Sequence, residues 1–124
     1  MVFKLKTSKE TMIIFEQLSA SVHLQPFALC KIAIALSLRE PVDSLKFDTD
    51  NDGLELNRQT ITGEYDELFK ALIIQNANQA LSDEVYFPKY LKAHIDRGAR
   101  ILLSEYKYSN NSFYQHLIQL DKGI

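Results

Sequence analysis

The sequence predicts a mainly α fold: a compact helical domain with a short N-terminal strand, opening in the order of ribbon–helix–helix proteins. Three observations carry this. Apolar residues recur at three- and four-residue spacings through most of the chain. Residues 2–6 alternate instead, with the two-residue period of a strand. Pro26, Pro41 and Pro88 stand where the helical patterns begin or stop. A length of 124 residues sets one domain spanning 1–124 and leaves room for a real core.

The elements follow in order. Val2-Phe3-Lys4-Leu5-Lys6 is a half-buried strand, with Phe3 and Leu5 on one face and Val2, Lys4 and Lys6 on the other. Thr7 and Glu10 have the T-x-x-E spacing of a capping box. Behind them, Met12, Ile13, Ile14, Phe15 and Leu18 give a helix over about Ser8 to Ser21. Pro26 suits the first turn of a second helix, because its missing N–H would have no partner there. Leu29, Ile32, Ala33 and Leu36 form its buried face, and Pro41 ends it. Residues 42–53 read as a polar loop and Leu54 to Ile61 as a short extended piece. A helix beginning near Gly63 has Glu64, Asp66 and Glu67 in its first turn, where the helix dipole favours negative charge. Leu68, Leu72 and Ile73, with Tyr65 and Phe69, make its apolar side, and it fades near Asn76 to Asn78. Ser82-Asp83-Glu84 mark another helix start. Pro88 opens a long helix with Leu91, Ile95, Ala99 and Leu102 facing inward, and Arg97 and Arg100 on neighbouring parts of its surface. A last helix over Ser112 to Leu120 precedes Gly123.

Apolar content of 46% and charged content of 24% are ordinary for a globular protein. No apolar run is long enough to cross a bilayer and the N-terminus does not read as a signal peptide. One cysteine forms no intrachain disulfide, so a cytoplasmic protein without membrane partners is expected. The net charge of −2 is unevenly distributed. Residues 1–40 carry five basic and three acidic groups, a net +2. Residues 41–84 carry three and ten, a net −7; residues 85–124 carry six and three, a net +3. Two basic ends therefore flank an acidic middle, which permits a basic face on an acidic chain.

Leu54 to Asp66, LELNRQTITGEYD, holds the densest group of polar residues. Asn57, Arg58, Gly63, Glu64, Tyr65 and Asp66 recur within it as a candidate structural or docking motif. Arg58 suits a bidentate pair with Glu64 or Asp66, or an external phosphate. Gly63 suits a positive φ or a close backbone approach. His94 and Gly98 lie one turn apart on the long helix; a mid-helix glycine suits tight packing against another helix. Catalysis at His94 requires a nucleophile or carboxylate partner that spacing does not supply. Cys30 lies in an apolar helix and reads as a buried structural thiol.

Asp48-Thr49-Asp50-Asn51-Asp52-Gly53 has the opening of a calcium loop. Its twelfth position is Gln59 where a bidentate Glu is required, so it reads as a turn. No metal site and no nucleophile–base pair stand at recognisable spacing. Lys4 and Lys6, with Lys9, Arg97 and Arg100, are the DNA-binding candidates. If the strand pairs with that of a second chain, the two lysines line a ribbon that fits the major groove. Lysines suit phosphates rather than bases. The plainer reading is an edge strand protected by charge.

Three pieces together identify a resemblance. Cys30-Lys31-Ile32-Ala33-Ile34-Ala35-Leu36-Ser37-Leu38 is the first. Asn57-Arg58, Thr60 and Gly63-Glu64-Tyr65-Asp66 form the second, and His94-Ile95-Asp96-Arg97-Gly98 the third. In this order the chain resembles the DndE family over roughly residues 2–103. DndE proteins belong to the bacterial DNA sulfur-modification (phosphorothioation) system, in which sulfur replaces a non-bridging oxygen of the backbone phosphate. The resemblance implies an accessory component of a restriction-modification type system that is no enzyme and carries no cofactor. It implies a homo-oligomer, a tetramer, working with ATPase and sulfurtransferase components and holding double-stranded or nicked DNA through phosphates. Two other readings stay open: an adaptor that docks on those partners without touching DNA, and a ribbon–helix–helix repressor. The repressor is disfavoured because the ribbon offers no Asn, Gln or Arg for reading bases.

Overall fold

The computed structural model describes residues 2–109. The expected helix over Ser112 to Leu120 and the Gly123 end lie outside the described residues. The chain runs β1 (Lys4–Lys6), α1 (Lys9–Val22) and α2 (Pro26–Ser37), then a 3₁₀ turn over Val42–Ser44. β2 (Glu55–Asn57) leads directly into α3 (Arg58–Ile61), a 3₁₀ turn over Gly63–Tyr65 and α4 (Asp66–Ala77). A single turn, α5 (Asp83–Val85), passes through a wide π-helical segment, Tyr86–Leu91, into α6 (Lys92–Ser109). The fold is mainly α, with a strand–helix–helix opening as the sequence predicts.

The strand finds its partner within the chain. β1 pairs antiparallel with β2, matching Lys4 with Asn57, Leu5 with Leu56 and Lys6 with Glu55. Leu5 and Leu56 point into the core while their neighbours face out. Phe3 does not share Leu5's side as expected; it precedes the strand and is 65% exposed. The ladder extends through Thr7, whose N–H donates to the Leu54 carbonyl and whose own carbonyl accepts from Gly53 N–H, both at 2.9 Å. Its hydroxyl is therefore not the helix cap. Ser8 caps α1, accepting from Thr11 N–H at 3.1 Å, so the cap lies one residue beyond the expected T-x-x-E box. A continued strand to Ile61 is prevented because Arg58 N–H closes the ladder on the Phe3 carbonyl at 2.7 Å, after which the chain turns helical.

α1 and α2 meet at 111° and both pack on α6, the α2–α6 contact being the most extensive in the fold. Phe15, Leu18, Leu29, Ala33, Ile34, Leu91, Ile95 and Leu102 fill that core. Gly98 makes it possible, because a Cβ there would run into the backbone carbonyl of Ala33. Gly98→Ala should therefore destabilise by about 1–3 kcal/mol through overpacking, against a helix-propensity gain of about 1 kcal/mol. A urea titration checks this; unchanged stability would mean the helices separate freely.

Two expected elements differ in detail. Pro88 does not open α6 but sits within the π-helical segment, where its missing N–H suits a widened turn. The expected apolar side of α4 is mostly exposed: Ile73 is buried and Phe69 partly so, whereas Tyr65 and Leu68 are 59% and 57% exposed. α4 lies at the edge of the core, so only one of its stripes finds a neighbour. Among the described residues no single helix is long and apolar enough to cross a membrane.

Candidate functional site

Arg58 is the centre of the LELNRQTITGEYD segment. It leaves β2 at the first position of α3 and points inward. Its Nε and Nη2 donate to the two oxygens of Asp66 at 3.1 and 2.6 Å. Its Nη1 and Nη2 donate to the two oxygens of Asp83 at 3.0 and 2.7 Å, and Nη1 also to the Val2 carbonyl at 2.8 Å. All five N–H donors of the guanidinium are accounted for. Phe87 and Tyr86 lie under it, with ring centroids 4.8 and 5.4 Å from the guanidinium carbon. Thr62 and Tyr86 hydroxyls donate to Asp66 at 2.6 and 3.0 Å.

This network joins the N-terminus, α3, α4 and α5. Of the two expected carboxylates, Asp66 takes part and Glu64 stays exposed; Asp83, 25 residues away in sequence, is the partner that spacing did not indicate. Gly63 adopts φ +52°, the positive φ expected of it, in open space. Asn57 is exposed and caps nothing by its side chain. Arg58's hydrogen bonds hold the Asp83 carboxyl down at about 2. Burial opposes ionisation of Asp66, but bonds from Arg58, Thr62 and Tyr86 outweigh it and keep its pKa low. Both remain ionised at neutral pH.

A second network closes the end of α2. Arg97 is 8% exposed. Its guanidinium donates to Ser37 Oγ, the carbonyls of Ser37, Glu40 and Pro41, and Ser44 Oγ, at 2.7–3.3 Å. A cation among the last carbonyls of a helix satisfies groups that have no partner within it and opposes the helix dipole. Arg97 therefore does not lie on the surface beside Arg100, as the spacing suggested. His94 Nδ1 lies 2.8 Å from Ser37 Oγ, giving the histidine the hydroxyl neighbour that sequence spacing could not supply. Both side chains are fully buried, and His94 Nε2 has no hydrogen-bond partner. Burial, followed by the charge of Arg97, lowers the His94 pKa to about 4, so the ring is neutral at pH 7. A Ser–His couple sealed in this way supports α2 and α6 rather than exposing a nucleophile.

Asp96 anchors a third network. It is 1% exposed and accepts from Ser8 N–H at 3.1 Å, Thr11 Oγ1 at 2.6 Å, Thr49 Oγ1 at 2.7 Å and Lys92 Nζ at 2.9 Å. It thereby ties α6 to the start of α1 and to the 48–53 loop. That loop forms an Asx-type turn: Asp50 Oδ1 accepts from Lys9 N–H at 2.8 Å and Asp52 N–H at 3.0 Å. Among the described residues, no three His, Cys, Asp or Glu side chains are grouped to hold a metal ion. Cys30 is fully buried; burial first, then the charge of Asp96, pushes its thiol up to about 12.

The cations that face water lie elsewhere. Lys4 and Lys6 project from the exposed face of β1, with Lys4 3.2 Å from Glu55. Lys9 is exposed at the start of α1, and Arg100 lies 3.5 Å from Glu10. Two adjoining depressions run from β1 towards the start of α6. One, of about 310 Å³, is lined by Lys4, Leu5, Lys6, Asn51, Glu55, Pro88 and Lys92. The other, of about 200 Å³, shares Asn51, Pro88 and Lys92 and adds Lys46, Phe47, Thr49, Lys89 and Ala93. Lys46 and Lys89 were not among the sequence candidates, because isolated lysines in a loop and a helix carry no pattern until the fold brings them together.

The family model described as DNA sulphur modification protein DndE matches residues 4–110. A crystal structure of DndE from Escherichia coli B7A, involved in DNA phosphorothioation modification, superposes with a TM-score of 0.66 at 17% identity, covering 82% of this chain and 97% of that one. A glycine-to-lysine mutant of DndE involved in DNA phosphorothioation gives 0.63 at 18% identity, with the same coverage. At these identities the structural likeness is one of fold. No curated protein sequence matches the chain.

Proposed function

Because the chain belongs to the DndE family of DNA sulphur modification proteins, we propose that it is a non-enzymatic accessory component of the phosphorothioation machinery. In this reading it assembles with copies of itself, as a tetramer, and works alongside ATPase and sulfurtransferase components. It holds double-stranded or nicked DNA through backbone phosphates. One observation carries the reading: Arg58, Asp66, Asp96 and Arg97 of the family-like motifs turn inward, while lysines turn outward. Arg58, Asp66, Asp83, Asp96 and Arg97 are engaged in internal hydrogen bonds. Lys4, Lys6, Lys46 and Lys89 are exposed around one groove. Exposed ammonium groups suit a phosphate backbone and carry no base specificity.

The test replaces Lys4 and Lys6 together with alanine and follows duplex DNA binding across a salt titration. The expected result is weaker binding at every sequence, with the slope of log affinity against log salt reduced by about two. An unchanged slope would remove β1 from the contact surface. Sedimentation should give a species larger than a dimer; a monomer at micromolar concentration would remove the assembly.

A second reading, an adaptor that docks on a partner without touching DNA, is favoured by α4. Tyr65, Leu68 and Leu72 form an exposed stripe at helical spacing. Here Leu68→Glu with Leu72→Glu would abolish capture of the phosphorothioation partners, whereas the lysine variants would not.

A further inference from the structure

Resting on the phosphate-binding reading above, we infer that the groove between β1, the 46–51 loop and the start of α6 takes a single DNA strand, with one unstacked base against Phe47. The lysines run along its length. Lys4 and Lys6 stand at the β1 end, Lys92 at the centre where the two lobes meet, and Lys46 and Lys89 at the far end. Among the described residues Glu55 is the one carboxylate lining it, and Lys4 holds that group at 3.2 Å. Lys92 is anchored by Thr49 and Asp96, so it shapes the middle of the groove more than it charges it.

Phe47 distinguishes this groove from a plain basic patch. The residue is 49% exposed although it lies among lysines. Tyr90 meets it edge-on, with centroids 4.8 Å apart and planes at 62°. Tyr90 is itself held, its hydroxyl accepting from Gln79 Nε2 at 2.8 Å. The aromatic surface is therefore oriented in advance of any ligand. A duplex keeps its base faces stacked inside, so only an unpaired nucleotide can present one to Phe47. Lobes of about 310 and 200 Å³ are too small to seat a double helix. Asn51, lining both lobes, adds an amide donor and acceptor without imposing a sequence. The 48–53 turn, pinned through Thr49 and Asp50, keeps this wall in place.

The test measures fluorescence anisotropy of the full chain with labelled oligothymidylate and with a labelled duplex, each competed by thymidine monophosphate and by inorganic phosphate. Phe47→Ala and Phe47→Leu should each weaken oligothymidylate binding about tenfold while leaving duplex binding within about twofold, since stacking on an aromatic ring is worth about 1–3 kcal/mol per base. Lys46→Glu with Lys89→Glu should weaken both ligands. Leucine retains an apolar contact to Tyr90, so its loss reads the aromatic face rather than folding. Duplex binding that persists while oligothymidylate binding ignores both Phe47 variants overturns this inference and leaves the phosphate reading standing. Binding to neither nucleic acid overturns both. Thymidine monophosphate competing as well as the strand, nucleotide for nucleotide, overturns the strand in favour of a mononucleotide site.

Discussion

Arg58→Ala is expected to cost about 3 kcal/mol of folding stability, because it leaves two carboxylates facing each other without their cation. Arg58 side-chain atoms are 9% exposed and those of Asp66 and Asp83 about a fifth, so the pairs are screened only in part. Urea titration should show a lower midpoint with an unchanged slope. Asp66→Asn and Asp83→Asn, added to the alanine variant, should restore part of the loss by removing the uncompensated charge. The same pairs give acid sensitivity. Both folded-state pKa values are depressed, that of Asp83 to about 2, below the ordinary carboxylate value of about 3.9. Their contribution is complete above about pH 4 and is lost as the pH falls towards 2. Wild-type protein should therefore lose stability faster than Arg58→Ala over that window. Parallel acid profiles would show that the pairs add nothing net.

Asp96→Ala is expected to be at least as damaging, at about 3–5 kcal/mol. It leaves Lys92, 7% exposed, without its counter-ion and removes the acceptor for Ser8 N–H, Thr11 and Thr49. Three elements lose their common tie: α1, α6 and the 48–53 loop. Asp96→Asn keeps the shape and part of the bonding and should cost less, about 1–3 kcal/mol. Adding Lys92→Met to Asp96→Ala should recover much of the loss, since removing both members of a buried pair is far less damaging than removing one. A double-mutant cycle by chemical denaturation measures this. Near-additive losses would show that the hydrogen bonds of Asp96, not its charge, hold the junction.

Much of the fold was legible in local patterns. Leu91, Ile95, Ala99 and Leu102 read as one helical face and are buried as one. Gly98 read as a place for close packing and meets Ala33. Other signals misled for physical reasons. Thr7 and Glu10 have capping-box spacing, but the β ladder claims Thr7 and Ser8 becomes the cap. Leu68 and Leu72 are apolar at helical spacing, yet periodicity identifies a stripe without saying whether anything packs on it. Arg97 is charged and its helical spacing puts it on the surface, whereas the end of α2 offers it a set of carbonyls. The candidate site divided in the same way. Arg58 with Asp66 was within reach of sequence spacing, because the two lie eight residues apart. Asp83 and the groove lysines Lys46 and Lys89 were not.

Local pattern was enough for the mainly α class, the strand–helix–helix opening, a first helix beginning near Ser8, a second opened by Pro26, and the resemblance to DndE that the family match then bore out. These rest on short-range periodicity, capping and motif order, all of which are written along the chain. Packing between distant elements set the pairing of β1 with β2 and turned Arg58 and Arg97 inward onto partners within the chain. It also decided which lysines gather beside Phe47. Those outcomes depend on contacts between residues tens of positions apart, and a side chain's partner in three dimensions is set by packing of whole elements rather than by its neighbours in sequence.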